Sequence, residues 1–167
     1  MKETFSEGLE EVMDNLYKGG AFLTAGDDKK CNTMTISWGS IGYMWGKPMF
    51  MALVRTSRYT NEFLENGSEY TISIPYDNEM SEAISICGRK SGRDVDKEKE
   101  ANIKFVPSKK VNVPVVDGCS KYFECKIVFK QDMNLEYMDE SIVKACYEKD
   151  AKHVLYFGEI VEYYYNK

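Results

Sequence analysis

Two arginines and three aliphatic hydroxyls fall within six residues at Arg55-Thr56-Ser57-Arg58-Tyr59-Thr60. Charge-assisted donors at that density suit a small anion such as a phosphate group. The segment lies where an apolar run, Met49-Phe50-Met51-Ala52-Leu53-Val54, gives way to a helical pattern. Ser57 or Thr60 can cap that helix, and the free amides and dipole at a helix start favour an anion. Ordinary capping beside two solvated arginines fits the same residues. A second constellation is Asn32-Thr33-Met34-Thr35-Ile36-Ser37-Trp38. Strand alternation sends Thr33, Thr35 and Ser37 to one face and Met34, Ile36 and Trp38 to the other. Buried hydroxyls are costly without partners. A planar ligand rich in acceptors would supply those partners, and a polar face in water would need none. The third segment runs from Cys87-Gly88-Arg89-Lys90-Ser91-Gly92-Arg93 through Asp96-Lys97. Its glycines, its serine and its four basic residues make a cationic loop able to fold over phosphates. A solvated loop has the same composition. The Cys87 thiol has no visible partner to lower its pKa, so it reads as a small buried hydrophobe.

Other chemistries lack residues. The one histidine, His153, leaves no His-rich metal site, and a nucleophilic triad would have to run through it. Its neighbours Lys152 and Val154 place it at a strand start, as a surface or strand-end residue. Five cysteines at irregular spacing contain no C-x-x-C pair, so neither a zinc site nor a dithiol motif is indicated and reduced thiols are expected. No G-x-G-x-x-G follows a strand, and no Walker A loop is present.

The net charge of −5 disfavours a nucleic-acid partner, which calls for the opposite sign. Local basic clusters at Arg55–Arg58 and Arg89–Arg93 suit a small anionic ligand better than a long polyanion. No apolar run approaches the roughly 20 residues of a membrane span. The opening Met1-Lys2-Glu3-Thr4-Phe5 lacks the apolar core of a signal peptide. A cytoplasmic protein is the expectation.

Stepping along the chain, Phe5, Leu9, Val12, Met13 and Leu16 recur at helical spacing, and Gly19-Gly20 ends that helix. Residues 21–25 and 32–38 read as a hairpin around a polar turn. Residues 39–46, rich in glycine and aromatics, read as a loop. The strand 49–54, the helix 59–66 and the strand 69–74 follow. A short helix is expected at 78–87, then a long loop or partly helical lid over 89–102. Val111–Val116 reads as an outer edge because of Pro114. Strands are expected at 122–130 and 134–138, a helix at 141–148, and a long strand at 153–165 with a bulge or bend at Gly158. About seven strands without βαβ alternation predict a mainly β fold: an antiparallel β-barrel with helical insertions, as a single domain over residues 1–167.

The three segments in this order resemble the flavin reductase-like family, whose members adopt the FMN-binding split β-barrel. Val113-Pro114-Val115-Val116 followed by Phe123-Glu124-Cys125-Lys126 resembles the family's later strand pair. The likeness spans about Gly20 to Gly158, and the flavoredoxin-like subgroup is the most similar. It departs after Lys97, where Glu98-Lys99-Glu100 stands in place of an aromatic or apolar residue. The resemblance implies an FMN cofactor. Asn32, Thr33, Met34, Thr35, Ser37 and Trp38 would meet the ring and its edge, with Met44 and Trp45 as further ring-lining candidates. Arg55, Thr56, Ser57, Arg58, Tyr59 and Thr60 would hold the phosphate. Cys87, Gly88, Lys90, Ser91 and Lys97 would form the third contact. It also implies a homodimer with flavin near the interface. The terminal Val161-Glu162-Tyr163-Tyr164-Tyr165 run could pack across that interface or close the barrel within one chain.

Three functions are open at this level. The leading one is an FMN-binding oxidoreductase passing electrons from NAD(P)H or a redox protein to flavin or another acceptor. The second is an electron carrier that binds FMN but has no nicotinamide activity of its own. The third is a non-redox binding module, whose only motive is the charged run after Lys97.

Overall fold

The computed structural model describes residues 4–166. Residues 1–3, part of the segment read above against a signal peptide, and residue 167 lie outside them. Helix α1 (Leu9–Gly19) buries Val12 and Leu16 along one face. Strands β1 (Ala21–Gly26) and β2 (Cys31–Ile36) form the expected hairpin. Its turn is fixed by the Asp27 carboxylate, which accepts from the amides of Lys29 and Lys30 at 2.9 and 2.8 Å. Then come β3 (Gly39–Met44), β4 (Lys47–Arg55), α2 (Tyr59–Asn66) and β5 (Glu69–Ile74), followed by α3 (Ser81–Arg89) and α4 (Lys97–Glu100). The short β6 (Phe105–Val106) and β7 (Val115–Val116) pair with each other outside the main sheet. The chain ends with β8 (Lys121–Asp132), α5 (Glu140–Cys146) and β9 (His153–Tyr165).

The main sheet has seven antiparallel strands in the order β2-β1-β5-β8-β9-β4-β3. Laid flat, seven strands would hold their edges roughly 29 Å apart at about 4.8 Å per step. Yet the two outermost strands are consecutive in sequence, with only Ser37 and Trp38 between them. Three Cα steps reach about 11 Å at most. The sheet must therefore curl until its edges approach at that corner. No ladder joins β2 to β3 among the described residues, so the barrel stays open along one seam: a split barrel, mainly β with helices inserted.

The core fills the curl. Phe50 and Phe123 meet with ring centroids 5.7 Å apart, and Leu23, Ile72 and Tyr156 pack with them. A second cluster under α3 joins Phe22, Ile84, Val116 and Tyr122. The terminal aromatics belong to this chain's own barrel. Tyr164 lies opposite Tyr122 in the β8–β9 ladder and stacks on it at 5.0 Å. Exposed aromatic surface sits elsewhere, where Trp45 meets Phe129 and Phe157 at 6.0 and 5.8 Å.

Three expectations change. Of the edge expected over Val111–Val116, only Val115–Val116 form a strand. Residues 39–44 are an edge strand, not a loop, because the apolar β4 needs a partner on its free side; Gly39 pairs with Ala52 and Met44 with Lys47. Residues 134–138 are not a strand. Asn134 caps a single 3-10 turn, Leu135–Tyr137, by accepting from the Glu136 amide at 3.0 Å. The irregularity expected at Gly158 is present, since the β8–β9 register shifts on both sides of Lys126–Ile127. A Cβ on Gly158 would run into the Tyr70 hydroxyl and come within 2.8 Å of Cys125 Cβ. That hydroxyl donates across the barrel to the Phe50 carbonyl at 2.5 Å. We expect Gly158→Ala to lower unfolding free energy by about 2–4 kcal/mol through overpacking and loss of this bond. A urea titration checks it, and an unchanged midpoint would refute the account.

Candidate functional site

The site lies beside the seam, between edge strand β2 and the strands β4 and β9. On one side β2 runs between β1 and α3. Its hydroxyl row finds partners inside the chain. Thr33 Oγ1 donates to the Leu23 carbonyl at 3.2 Å and accepts from Thr24 Oγ1 at 3.0 Å. Thr35 Oγ1 donates to the Ile84 carbonyl at 2.5 Å. What β2 and the corner after it present outward is Met34, Ser37 and Trp38, which line a cavity of about 260 Å³. Leu53 and Arg55 of β4 and His153 of β9 line its other side, and Arg58 closes one end.

Arg58 also lines a second, cationic cavity of about 140 Å³, as does Met34. Here the three segments singled out in the sequence converge. Asn32 comes from β2, Ser57 and Thr60 from the start of α2, and Ser91 and Lys97 from the third loop. No side chain caps α2, whose N-cap position is Arg58 rather than Ser57 or Thr60. The Thr60 hydroxyl instead accepts from Asn32 Nδ2 at 2.7 Å. The start of α2 borders a space also lined by Arg58, Arg89, Lys90, Arg93 and Lys97. Arg58 donates to the Gly88 carbonyl at 2.7 Å, and burial lowers its pKa. Its guanidinium is thus partly desolvated.

Lys97 fastens the third loop. It is only 6% exposed, and its ammonium donates to the carbonyls of Thr33 at 2.6 Å and Cys87 at 3.0 Å. Burial lowers its pKa. The charged run after it faces out: Lys90 pairs with Glu100, and Glu98 accepts from the Phe105 amide at 3.2 Å. The loop thus closes through one buried lysine, and an apolar residue after it is not required. Arg93 adds a clasp over α2, paired with Glu62 and lying 5.0 Å over the Tyr59 ring.

Several candidates stand apart. The Arg55 guanidinium is spent on the carbonyls of Ala151 and Cys146, at 2.6 and 3.2 Å, and on Asp150 at 3.4 Å. It pins the α5–β9 connection and borders the ring-sized cavity but not the cationic one. Thr56 is exposed and bonds through its amide to the Lys152 carbonyl. Cys87 and Gly88 stand behind the cationic cavity and contribute carbonyls to Lys97 and Arg58. Burial raises the Cys87 thiol's pKa. Met44 and Trp45, at the β3–β4 turn, line neither cavity.

His153 corrects the sequence reading. It begins β9 as expected but is 6% exposed, with its ring 5.5 Å from Trp38 and its Nδ1 paired with the Tyr147 hydroxyl at 2.7 Å. It enters the site because it pairs with Arg55 across β4–β9, a neighbour far away in sequence. Burial and the adjacent Arg55 push its pKa from 6.5 down to about 4. A depressed folded-state pKa contributes stability above pH 6.5 that is lost as pH falls toward 4. We expect His153→Asn to flatten this part of the pH–stability curve, worth up to about 3 kcal/mol. Urea midpoints for both proteins between pH 7.5 and 4.5 decide the matter, and parallel curves would contradict it.

A ring-sized cavity of mixed polarity and a cationic cradle thus meet at Arg58 and Met34. The chain belongs to the flavin reductase-like family, whose model, described as a flavin reductase like domain, matches residues 13–167. An uncharacterized protein of Archaeoglobus fulgidus is 26% identical over 117 residues, which cover 70% of this chain and 65% of that protein. The chain therefore spans somewhat less than two thirds of that relative. A flavoredoxin from Methanosarcina acetivorans superposes with a TM-score of 0.69 at 22% identity, covering 89% of this chain and 69% of that one. An NADH:FAD oxidoreductase from Streptomyces globisporus, solved with NAD and FAD fragments, gives 0.67 at 14% identity, covering 95% and 81%. At such identities these structures establish the shared fold. No helix among the described residues is long and apolar enough to cross a membrane.

Proposed function

We propose that the chain is an FMN-binding oxidoreductase of the cytoplasm, acting as one domain and passing electrons from NAD(P)H or a redox protein to an acceptor. One observation carries the reading: the ring-sized cavity and the cationic cradle share Arg58 and Met34, so one ligand can occupy both. The donor set suits that ligand. Met34, Trp38 and Leu53 offer apolar surface to a ring. Ser37 and the backbone of β2 offer partners to its polar edge. Arg58, Ser91 and the start of α2 receive the phosphate, and Lys97 holds the loop that completes the cradle. Bound flavin supplies the hydride and electron chemistry; the protein's part is to hold the ring at the seam with one side open and to neutralise the tail.

The flavoredoxin and the NADH:FAD oxidoreductase that share the fold support an electron-transfer role. The exposed Trp45 and Phe129, packed with half-buried Phe157, support a homodimer, since scattered rather than grouped aromatics are usual on a free surface.

The test is an anaerobic absorbance spectrum of the purified protein. It should be yellow or become so with added FMN, and NADH or NADPH should bleach it. Bleaching only by a reduced redox protein would make it a carrier. A colourless protein that fails to bind FMN would sink the proposal.

A further inference from the structure

Residues 89–97 form one wall of the cationic cradle and run between two firm anchors. At one end the terminus of α3 holds them, where the Lys90 amide donates to the Ile86 carbonyl at 2.9 Å. At the other, buried Lys97 donates to the carbonyls of Thr33 and Cys87. Between the anchors, residues 91–95 fold on themselves. The amides of Asp94 and Val95 donate to the Ser91 carbonyl at 3.0 and 3.1 Å, and the Arg93 amide donates to Ser91 Oγ at 3.1 Å. Arg93 fastens this turn to α2. Its guanidinium pairs with Glu62, lies 5.0 Å over the Tyr59 ring and donates to the Ser57 carbonyl at 3.4 Å. Gly92 lets the turn lie flush, since a Cβ there would collide with Asn32 Oδ1. The anchor at Lys97 is buried, whereas the Arg93 and Glu62 side chains are 44% and 54% exposed. An ion pair so open to water is the weakest of the loop's attachments.

We propose that Arg93 and Glu62 form a latch, and that the turn 91–95 is the gate by which the phosphate of a bound flavin enters and leaves. The inference rests on the flavin reading above and deepens it. The walls of the cradle are β2, the start of α2 and this loop. With the ring in its own cavity, a phosphate in the cradle has two ways out. One runs past Arg58, which is half-buried and fastened to the Gly88 carbonyl. The other needs only the surface contacts of Arg93 to part, so it is the easier. Glu62 lies outside the cradle. The latch therefore holds the empty and the loaded cradle alike, and an interaction equal in both states shifts no binding equilibrium. It sets how fast flavin exchanges, not how tightly it binds.

The experiment is stopped-flow fluorescence of FMN mixed with flavin-free protein over a range of FMN concentrations. The slope of the observed rate gives entry and the intercept gives exit. Glu62→Gln removes the ion pair at a surface position. Both rates should rise together by about fivefold, with affinity kept within about twofold. A slower exit with tighter binding would make Arg93 a phosphate ligand for which Glu62 competes, and would overturn the latch. Unchanged rates would overturn it too. Limited trypsin digestion of the flavin-free protein gives a readout without flavin. Cleavage after Lys90 or Arg93 follows the open population and should run about fivefold faster in Glu62→Gln. Equal cleavage of the two proteins would refute the latch by itself. Failure of FMN to bind wild type would overturn the flavin reading, on which the digestion does not depend.

Discussion

Replacing Arg58 by alanine weakens FMN binding by about 1.5–3 kcal/mol, the scale of a hydrogen bond to a charged group, and leaves riboflavin affinity nearly unchanged. The reasoning starts from position. Arg58 is the N-cap residue of α2, and it lines the cradle together with Ser57 and Thr60 from the same helix start. Its cationic neighbours Arg89, Lys90 and Arg93 sit on an exposed rim, where screening reduces their share. Arg58 is half-buried and desolvated, so a phosphate gains most from it. The substitution also frees the Gly88 carbonyl, a cost that falls on both ligands alike. The FMN-to-riboflavin difference isolates the phosphate. Equal losses in fluorescence titrations of the two flavins would place the phosphate elsewhere. Arg58→Lys keeps the charge but not the fork, and an intermediate loss is expected.

Lys97→Met destabilises the protein by about 2–4 kcal/mol and weakens FMN and riboflavin together. The side chain volume is nearly kept, but two inward carbonyls, of Thr33 and Cys87, lose their shared donor. For a domain of this size each kcal/mol lowers the melting temperature by about 2–4 °C, so a drop of roughly 6–12 °C is expected from about 3 kcal/mol. The ligand effect differs from that of Arg58 because the loop 89–97 loses its anchor to β2, and the whole cradle loosens. Lys99→Met is the control. Its partner Asp96 is a surface contact at 3.4 Å and the side chain is 85% exposed, so neither stability nor binding should move beyond about 0.5 kcal/mol. Calorimetry and flavin titration on the two variants suffice. Comparable effects from both would remove Lys97 from its anchoring role.

The sequence displays what is local. The β1–β2 hairpin is legible in its alternation and its Asp27 turn, and α2 in its Gly67 boundary. The order of the three site segments is legible too, because each is continuous in the chain. What it hides depends on partners across the sheet. Gly39–Met44 carries glycines that weaken any strand propensity, and only the free edge of β4 makes it a strand. His153 looks like a strand-end residue until its pairing with Arg55 places it in the cavity wall. Arg55 itself shows the converse. Its spacing beside Arg58 suggests a shared anion, but the two point apart, one to α5–β9 carbonyls and the other to the cradle. The hydroxyls of Thr33 and Thr35 suit a ligand or water when only the strand is in view, but β1 and α3 satisfy them first.

The strand order has a consequence for how the protein comes into being at the ribosome. Strand β9 stands between β8 and β4, so β3 and β4, made early, have no place in the sheet until residues 153–165 emerge. The two walls of the ring-sized cavity belong to these separate halves, Met34 and Ser37 on one and Leu53 on the other. Synthesis from the N-terminus therefore leaves an apolar strand without its neighbour for most of translation, at the stage when exposed edges invite aggregation. The cationic cradle, drawn from residues 32–97, is complete in sequence much earlier. The ring-sized cavity's second wall, Leu53 and His153, is set in place only when the final strand joins β4 to β8.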